Sequence, residues 1–383
     1  MTRWTELDPR SLAVFRIVLG CLVALDTLWR VPFLNDFMTD EGVYSRLDMT
    51  SSAYADYWIC LHLGSGNLLG QSMLTLLILS LAAGLIAGYR TTWMTLGCWI
   101  MMNSVQARNP FIGDRGDLQL SLLLFWALFL PLGEVWSLDA KAKRASFGYR
   151  RGAPVVGLIL QFASIYLFAA LTKTGDFWLA RGDGLKFSLL SPLFATDVAA
   201  LWLKLGDPML KALNYSVIVG ELFLGLLLLC PLFVPLCRSL AVGALVVFHL
   251  VVLVTFKLGL FPIIGALTPL ALLPTEFWTR FFKKEKPDDP PTTPLPLNLV
   301  LGLFIGLALL SSVANSRPAI SRPQALTRLT EILRLEQHWE LFSPLPPING
   351  HFRLISLDSN QERILFEGPP FPGHRWKMLM LAT

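Results

Sequence analysis

Charge is what this 383-residue sequence has least of. Asp, Glu, Lys and Arg make up 15% of it, and 54% is apolar. A soluble domain carries about 25% charge. That shortfall excludes a chain surrounded by water on all sides. Cysteine is scarce too: Cys21, Cys60, Cys98, Cys230 and Cys237 include no CxxC pair, so nothing forces a disulfide or a metal site, and no metal is expected. Cys21, Cys98 and Cys230 fall in apolar runs and read as packing residues. A basic stripe interleaved with aromatics is also missing. The net charge of +5 is spread over short loops, which excludes nucleic acid as a partner. No internal repeat is evident, which argues against an inverted-repeat transporter.

What is present is a series of long apolar runs. About 20 such residues match the ~30 Å hydrocarbon layer of a membrane. Nine runs read as spans: residues 11–29, 68–88, 91–106, 118–135, 154–173, 215–235, 240–255, 260–278 and 296–313. Residues 185–205 are apolar but broken by Pro192 and Asp197, and read as a re-entrant or interfacial piece. The polar residues 1–10 lead into a full span without a small-residue cleavage site, so this span reads as retained. The fold class expected is an all-α polytopic membrane helix bundle of about nine transmembrane helices, residues 1–315. A small extramembrane β-rich tail, residues 316–383, is expected to follow. In that tail, residues 326–335 have helical spacing, and residues 351–357 and 362–366 alternate like strands. The tail is expected to pack on the outer mouth of the bundle and to be an incomplete domain. A Pro-rich linker, KPDDPPTTPLP at residues 286–296, precedes the last span.

Loop charges set an orientation. Lys141, Lys143, Arg144, Arg150 and Arg151 form one basic loop, and Arg280, Lys283, Lys284 and Lys286 another. With nine spans both fall on the same side as the N-terminus, Arg90 and Arg238. That side is expected to be cytoplasmic and the tail extracytoplasmic, in the cell inner (plasma) membrane, with lipid as the surrounding partner.

Polar residues inside spans are the best pointers to function in such a chain. The first span holds Arg16, Asp26 and Arg30. Asp26 and Arg30 are four apart and can pair on one face, whereas Arg16 is about 15 Å along the helix from Asp26 and cannot reach it. Their plain reading is anchorage of the helix. Lys173 closes the fifth span. It reads either as a snorkelling lysine or as a desolvated amine able to act as a base. Glu221 and His249 lie in neighbouring spans and can pair or relay a proton; the plain reading of such a histidine is hydrogen-bonded core. Lys257 reads as snorkelling. Two polar turns, Arg108-Asn109-Pro110 with Gly116-Asp117 and Trp136-Ser137-Leu138-Asp139-Ala140, are expected to set helix geometry.

These blocks carry a family resemblance. Leu12-Ala13-Val14-Phe15-Arg16-Ile17-Val18-Leu19-Gly20, then Asp40-Glu41-Gly42-Val43, resembles the horizontally transferred transmembrane (HTTM) domain family, which includes the vitamin K-dependent gamma-carboxylases. Gly88-Tyr89-Arg90, the two polar turns and Phe129-Leu130-Pro131-Leu132-Gly133 add to it. So do Phe248-His249 with Leu258-Gly259-Leu260-Phe261-Pro262, and Gln337-His338-Trp339 with Leu341-Phe342-Ser343-Pro344. The resemblance covers most of the chain. In the carboxylases a lysine base deprotonates vitamin K hydroquinone, which oxygen then converts to an epoxide. Tyr166-Leu167-Phe168-Ala169 through Lys173 resembles the segment carrying that lysine, and His249 matches a later histidine. The carboxylase Asn-His pair is replaced by Arg115-Gly116, the lysine pair by Thr172-Lys173, and the Asn three residues after the later His by Val252, and no counterpart of the large lumenal domain is expected within residues 316–383. The resemblance therefore implies oxidation or epoxidation of a membrane quinol, reduced vitamin K or menaquinol, rather than peptide carboxylation. The alternative is a non-catalytic membrane component that binds a lipophile or a partner protein through tail residues such as Trp339 and Phe342. A transporter using Arg16, Glu221 and His249 is the third reading.

Overall fold

The computed structural model describes residues 3–51, 60–143, 151–282, 294–316, 323–340, 342, 353–358, 361–367, 375 and 378. The expected basic residues Arg144, Arg150, Lys283, Lys284 and Lys286, most of the Pro-rich linker, and Leu341, Ser343 and Pro344 lie outside the described residues.

The bundle is helical throughout. Helix α1 (Pro9–Arg30) starts at Asp8, whose carboxylate accepts from the Arg10 amide, with Pro9 preset for the first turn. Helix α2 (Leu68–Ala87) is capped by Asn67 and stopped by Gly88, whose φ of +68° suits glycine. Then come α3 (Thr91–Arg108), α4 (Arg115–Ala127), α5 (Ala153–Thr172), α6 (Asp207–Leu229), α7 (Val234–Thr255), α8 (Phe261–Leu267), α9 (Leu295–Ser316) and α10 (Gln324–Leu333). Among the described residues six helices are long and apolar enough to cross a membrane: the one beginning at Pro9, and α2, α5, α6, α7 and α9.

Each of the nine expected runs falls on helix, yet three do not qualify by length and composition. Helix α3 carries Asn103, Ser104, Gln106 and Arg108, all buried, so its polar side faces protein and lowers its hydropathy. Helix α4 stops after 13 residues, ahead of Pro131 and Gly133. The run at 260–278 splits into α8, a 3-10 turn at Thr268–Leu272 and a short helix at Thr275–Trp278, with Pro269 and Pro274 at the breaks. Residues 185–205 form only the short helices Gly184–Leu189 and Ala199–Leu203, strapped across the end of α7 by Lys257 N–H to Phe194 O (2.6 Å) and Thr196 N–H to Thr255 O (3.0 Å). Of the cysteines expected to pack, Cys98 is buried, Cys21 faces outward, and Cys230 lies just past α6 as its C-cap.

Side chains sort the bundle into two ends. At one end the Arg238 guanidinium donates to Glu6 O (2.6 Å), Ser11 Oγ donates to Leu273 O (2.7 Å), and Trp278 Nε1 donates to Ser11 Oγ (2.7 Å). The Asp139 carboxylate accepts from the Arg90 and Thr91 amides there (2.8 Å each). At the other end lie Arg30, Asp117 and the close of α5. Helices α5 and α6 pack tightly because Gly225 lets α6 approach; a Cβ there would sit 3.2 Å from Ala163 O and 2.6 Å from the Leu167 side chain.

The tail enters the bundle. After α10, Leu335, Gln337 and Trp339 are buried. Gln337 exchanges amide hydrogen bonds with Gln161 of α5 (3.0 and 3.1 Å), and its Oε1 accepts from Trp339 Nε1 (2.7 Å). Further on, β1 (Arg353–Asp358) and β2 (Gln361–Glu367) pair antiparallel, Arg353 opposite Glu367 and Asp358 opposite Gln361.

Candidate functional site

Lys173 is the C-cap of α5, where the apolar run gives way to Gly175. Its side chain does not snorkel outward. It is 3% exposed and turns back along the helix, where Nζ donates to Ala169 O (3.1 Å) and to both oxygens of Glu221 on α6 (2.9 and 2.7 Å). The ammonium also lies 5.3 Å from the centre of the Trp178 ring, within cation–π range. Trp178 is fixed in turn: its Nε1 donates to Phe342 O (3.0 Å), and its carbonyl accepts from Asn214 Nδ2 (2.9 Å). Two charges this deep hold each other in place, since neither is stable there alone.

A second pair sits on the same face of α5. Tyr166 precedes Lys173 by seven residues, two helical turns. Its hydroxyl is 2.9 Å from His249 Nε2 on α7. The imidazole is framed by Phe248 and Phe261 and rests against Gly265, where a Cβ would lie 2.2 to 2.5 Å from ring atoms. His249 Nδ1 is buried and has no hydrogen-bond partner among the described residues. The expected Glu221–His249 contact is therefore replaced by two others, Glu221 with Lys173 and His249 with Tyr166. Lys173 takes the carboxylate because α5 and α6 are in closest contact, leaving the imidazole to the phenol a turn or two further in.

The remaining flagged residues go elsewhere. Asp26 and Arg30 do pair (2.7 Å), and Arg30 bridges on to Asp117 (2.5 Å). Arg375 from the tail joins them, 2.8 Å from Asp26 and 2.9 Å from Asp117. Asp117 is not the cap of α4; Asp114 is, and Asp117 answers it from the third position in a capping box. Arg16 is fully buried at the opposite end, donating to Trp136 O (2.7 Å). Arg108 donates to Tyr44 O (2.8 Å) and Thr39 O (3.2 Å), and Asn109 to Phe37 O (3.4 Å), so this turn braces residues 37–44. These contacts are architectural: they join pieces of chain far apart in sequence. Sequence reasoning missed Tyr166, Trp178, Gln337 and Arg375 as partners. The available signals were the seven-residue spacing from Tyr166 to Lys173 and the family blocks that contain Tyr166 and Gln337.

A helix bundle with spans of membrane length and ion pairs turned inward is an integral membrane protein. Residues 117–277 match the family model of the HTTM domain. The matched region contains Tyr166, Lys173, Glu221 and His249. No curated protein and no solved structure matches the chain.

Proposed function

We propose that this protein removes a proton from a lipophilic quinol, reduced vitamin K or menaquinol, with Lys173 as the base and Glu221 as its proton partner. The observation that carries the reading is the buried Lys173–Glu221 pair at 2.7 Å. The pair holds one transferable proton between amine and carboxylate, and it can take up a second. With the shared proton on Glu221 the Lys173 amine takes the phenolic proton, leaving an ammonium beside a protonated carboxyl, and that cation stabilises the quinolate. His249 Nδ1, with no hydrogen-bond partner among the described residues, is a second polar group, held by Tyr166 two helical turns along α5 from the pair. Oxygen would supply any later oxidation or epoxidation. Removal of peptide γ-protons is not part of the proposal.

The same reading takes nine crossings in the inner membrane, with the N-terminus cytoplasmic and the tail extracytoplasmic. Helix α4 supports it, since Asp117 bonds with Arg30 at one end of the bundle while Trp136, beyond its last turn, bonds with Arg16 at the other. The 260–278 run is similar: Gly116 meets Phe261, and Leu273 accepts from Ser11. Arg151, Arg238 and Arg90 gather at the second end, as a cytoplasmic face requires.

A non-catalytic, lipophile- or partner-binding component is the second reading. It is favoured by the three hydrogen bonds that already occupy the Lys173 ammonium. An aerobic assay of the protein in nanodiscs with reduced menaquinone separates the two. Product formed by wild type and lost in Lys173→Ala supports the base; equal rates in the two leave the binding role.

A further inference from the structure

We propose that Cys230 and Cys237 form a dithiol modification site, oxidised to a disulfide across the α6–α7 turn by exchange with a low-molecular-weight disulfide. Cys230 caps α6 in an extended conformation (φ −65°, ψ 120°). The chain then reverses through Phe233, whose φ is +47°, and Cys237 lies on the first turn of α7. This reversal brings both thiols to one point. Each donates to the same carbonyl, that of Leu232, at 3.5 Å from Cys230 Sγ and 3.2 Å from Cys237 Sγ. Neither is buried, and the surrounding Leu232, Phe233 and Leu236 are strongly exposed, so a small reagent can reach them. The other cysteines lack this arrangement: Cys60 and Cys98 are buried, and Cys21 stands on the outer face of α1.

The chemistry is a two-step exchange. The thiolate of one cysteine attacks a sulfur of the small disulfide, forming a mixed disulfide and releasing one small thiol. The second cysteine thiolate then attacks the protein sulfur of that mixed disulfide and expels the second small thiol. Two protein S–H bonds become one S–S bond, the two hydrogens end on the two small thiols, and the small disulfide is reduced. The two sulfurs start from a shared contact with the Leu232 carbonyl. The disulfide would lock together the C-terminal end of α6 and the N-terminal end of α7.

The test uses the full chain in nanodiscs, treated with oxidised glutathione, blocked with a maleimide and read by peptide mass spectrometry. The expected result is a linked Cys230–Cys237 product lighter by two hydrogens and reversed by dithiothreitol, with Cys21 unlinked. Cys230→Ser and Cys237→Ser should each stop at a glutathione adduct on the remaining cysteine. Wild type ending with a stable adduct on both cysteines, or with both still open to maleimide, would overturn the proposal without reference to either variant.

Discussion

The Lys173 ammonium lies 2.7 Å from a Glu221 oxygen 48 residues along the chain, and both side chains are shut away from water. Removing one member leaves the other as a lone buried charge. Glu221→Gln or Lys173→Met alone should cost about 3–5 kcal/mol. The double replacement Lys173→Met with Glu221→Leu should cost less than either single change, because no charge is stranded. Unfolding in detergent, followed as a double-mutant cycle, measures this. Additive losses would show that the two groups do not interact.

Gly265 gives His249 its place beside Tyr166. A Cβ there would come within 2.2 Å of the imidazole. Gly265→Ala should push the ring off the Tyr166 hydroxyl and destabilise the protein by about 1–3 kcal/mol, the range for overpacking a filled core. Gly265→Ala combined with His249→Ala should recover part of that loss, since the clash is gone. Thermal unfolding of wild type and the two variants checks it.

The tail is pinned at Arg375, between Asp26 and Asp117. Arg375→Gln would leave three carboxylates, Asp26, Asp114 and Asp117, against Arg30. The expected outcome is release of the tail, read as faster proteolytic cleavage after residue 340 with the membrane helices intact. Unchanged cleavage would mean that Gln337 and Trp339 hold the tail unaided.

How much of this was legible in the sequence depends on distance along the chain. The Asp26–Arg30 pair could be read from its four-residue spacing, and the long apolar helices from their runs. Lys173, Glu221 and His249 stood out as polar residues in apolar surroundings, but their pairing follows from how α5, α6 and α7 pack, which no local spacing encodes. Arg375 gave no signal because its partners lie at Asp26 and Asp117, at the far end of the fold. Residues 91–106 do form a helix, but its polar residues face protein, which hydropathy does not register, and the expected run at 118–135 extends past the point where the α4 backbone unwinds.

His62 should make the 3-10 segment Leu61–Gly64 sensitive to acid. It is buried, its amide donates to Ser104 Oγ (3.0 Å), and its Nδ1 is 2.7 Å from the same oxygen. Burial, helped by the Arg30 and Arg108 charges, holds the imidazole down to about 3 from its ordinary 6.5. Between those values the undocked segment takes up a proton that the docked one refuses. Docking is therefore fully stable above 6.5 and weakens as pH falls toward about 3. The loss is up to about 1.4 kcal/mol per pH unit. Hydrogen exchange at the His62 and Leu63 amides should quicken over that window, and His62→Asn should remove the pH dependence.

Proton removal by Lys173 can be observed without any oxidation. Protein in nanodiscs is mixed with reduced menaquinone under strict exclusion of oxygen, and the absorbance of the quinolate anion is followed at a pH where free quinol stays protonated. Wild type should produce the quinolate band, and the stable double variant Lys173→Met with Glu221→Leu should not. A band of equal size in both, or none in well-folded wild type, would contradict the assignment of Lys173 as a quinol base.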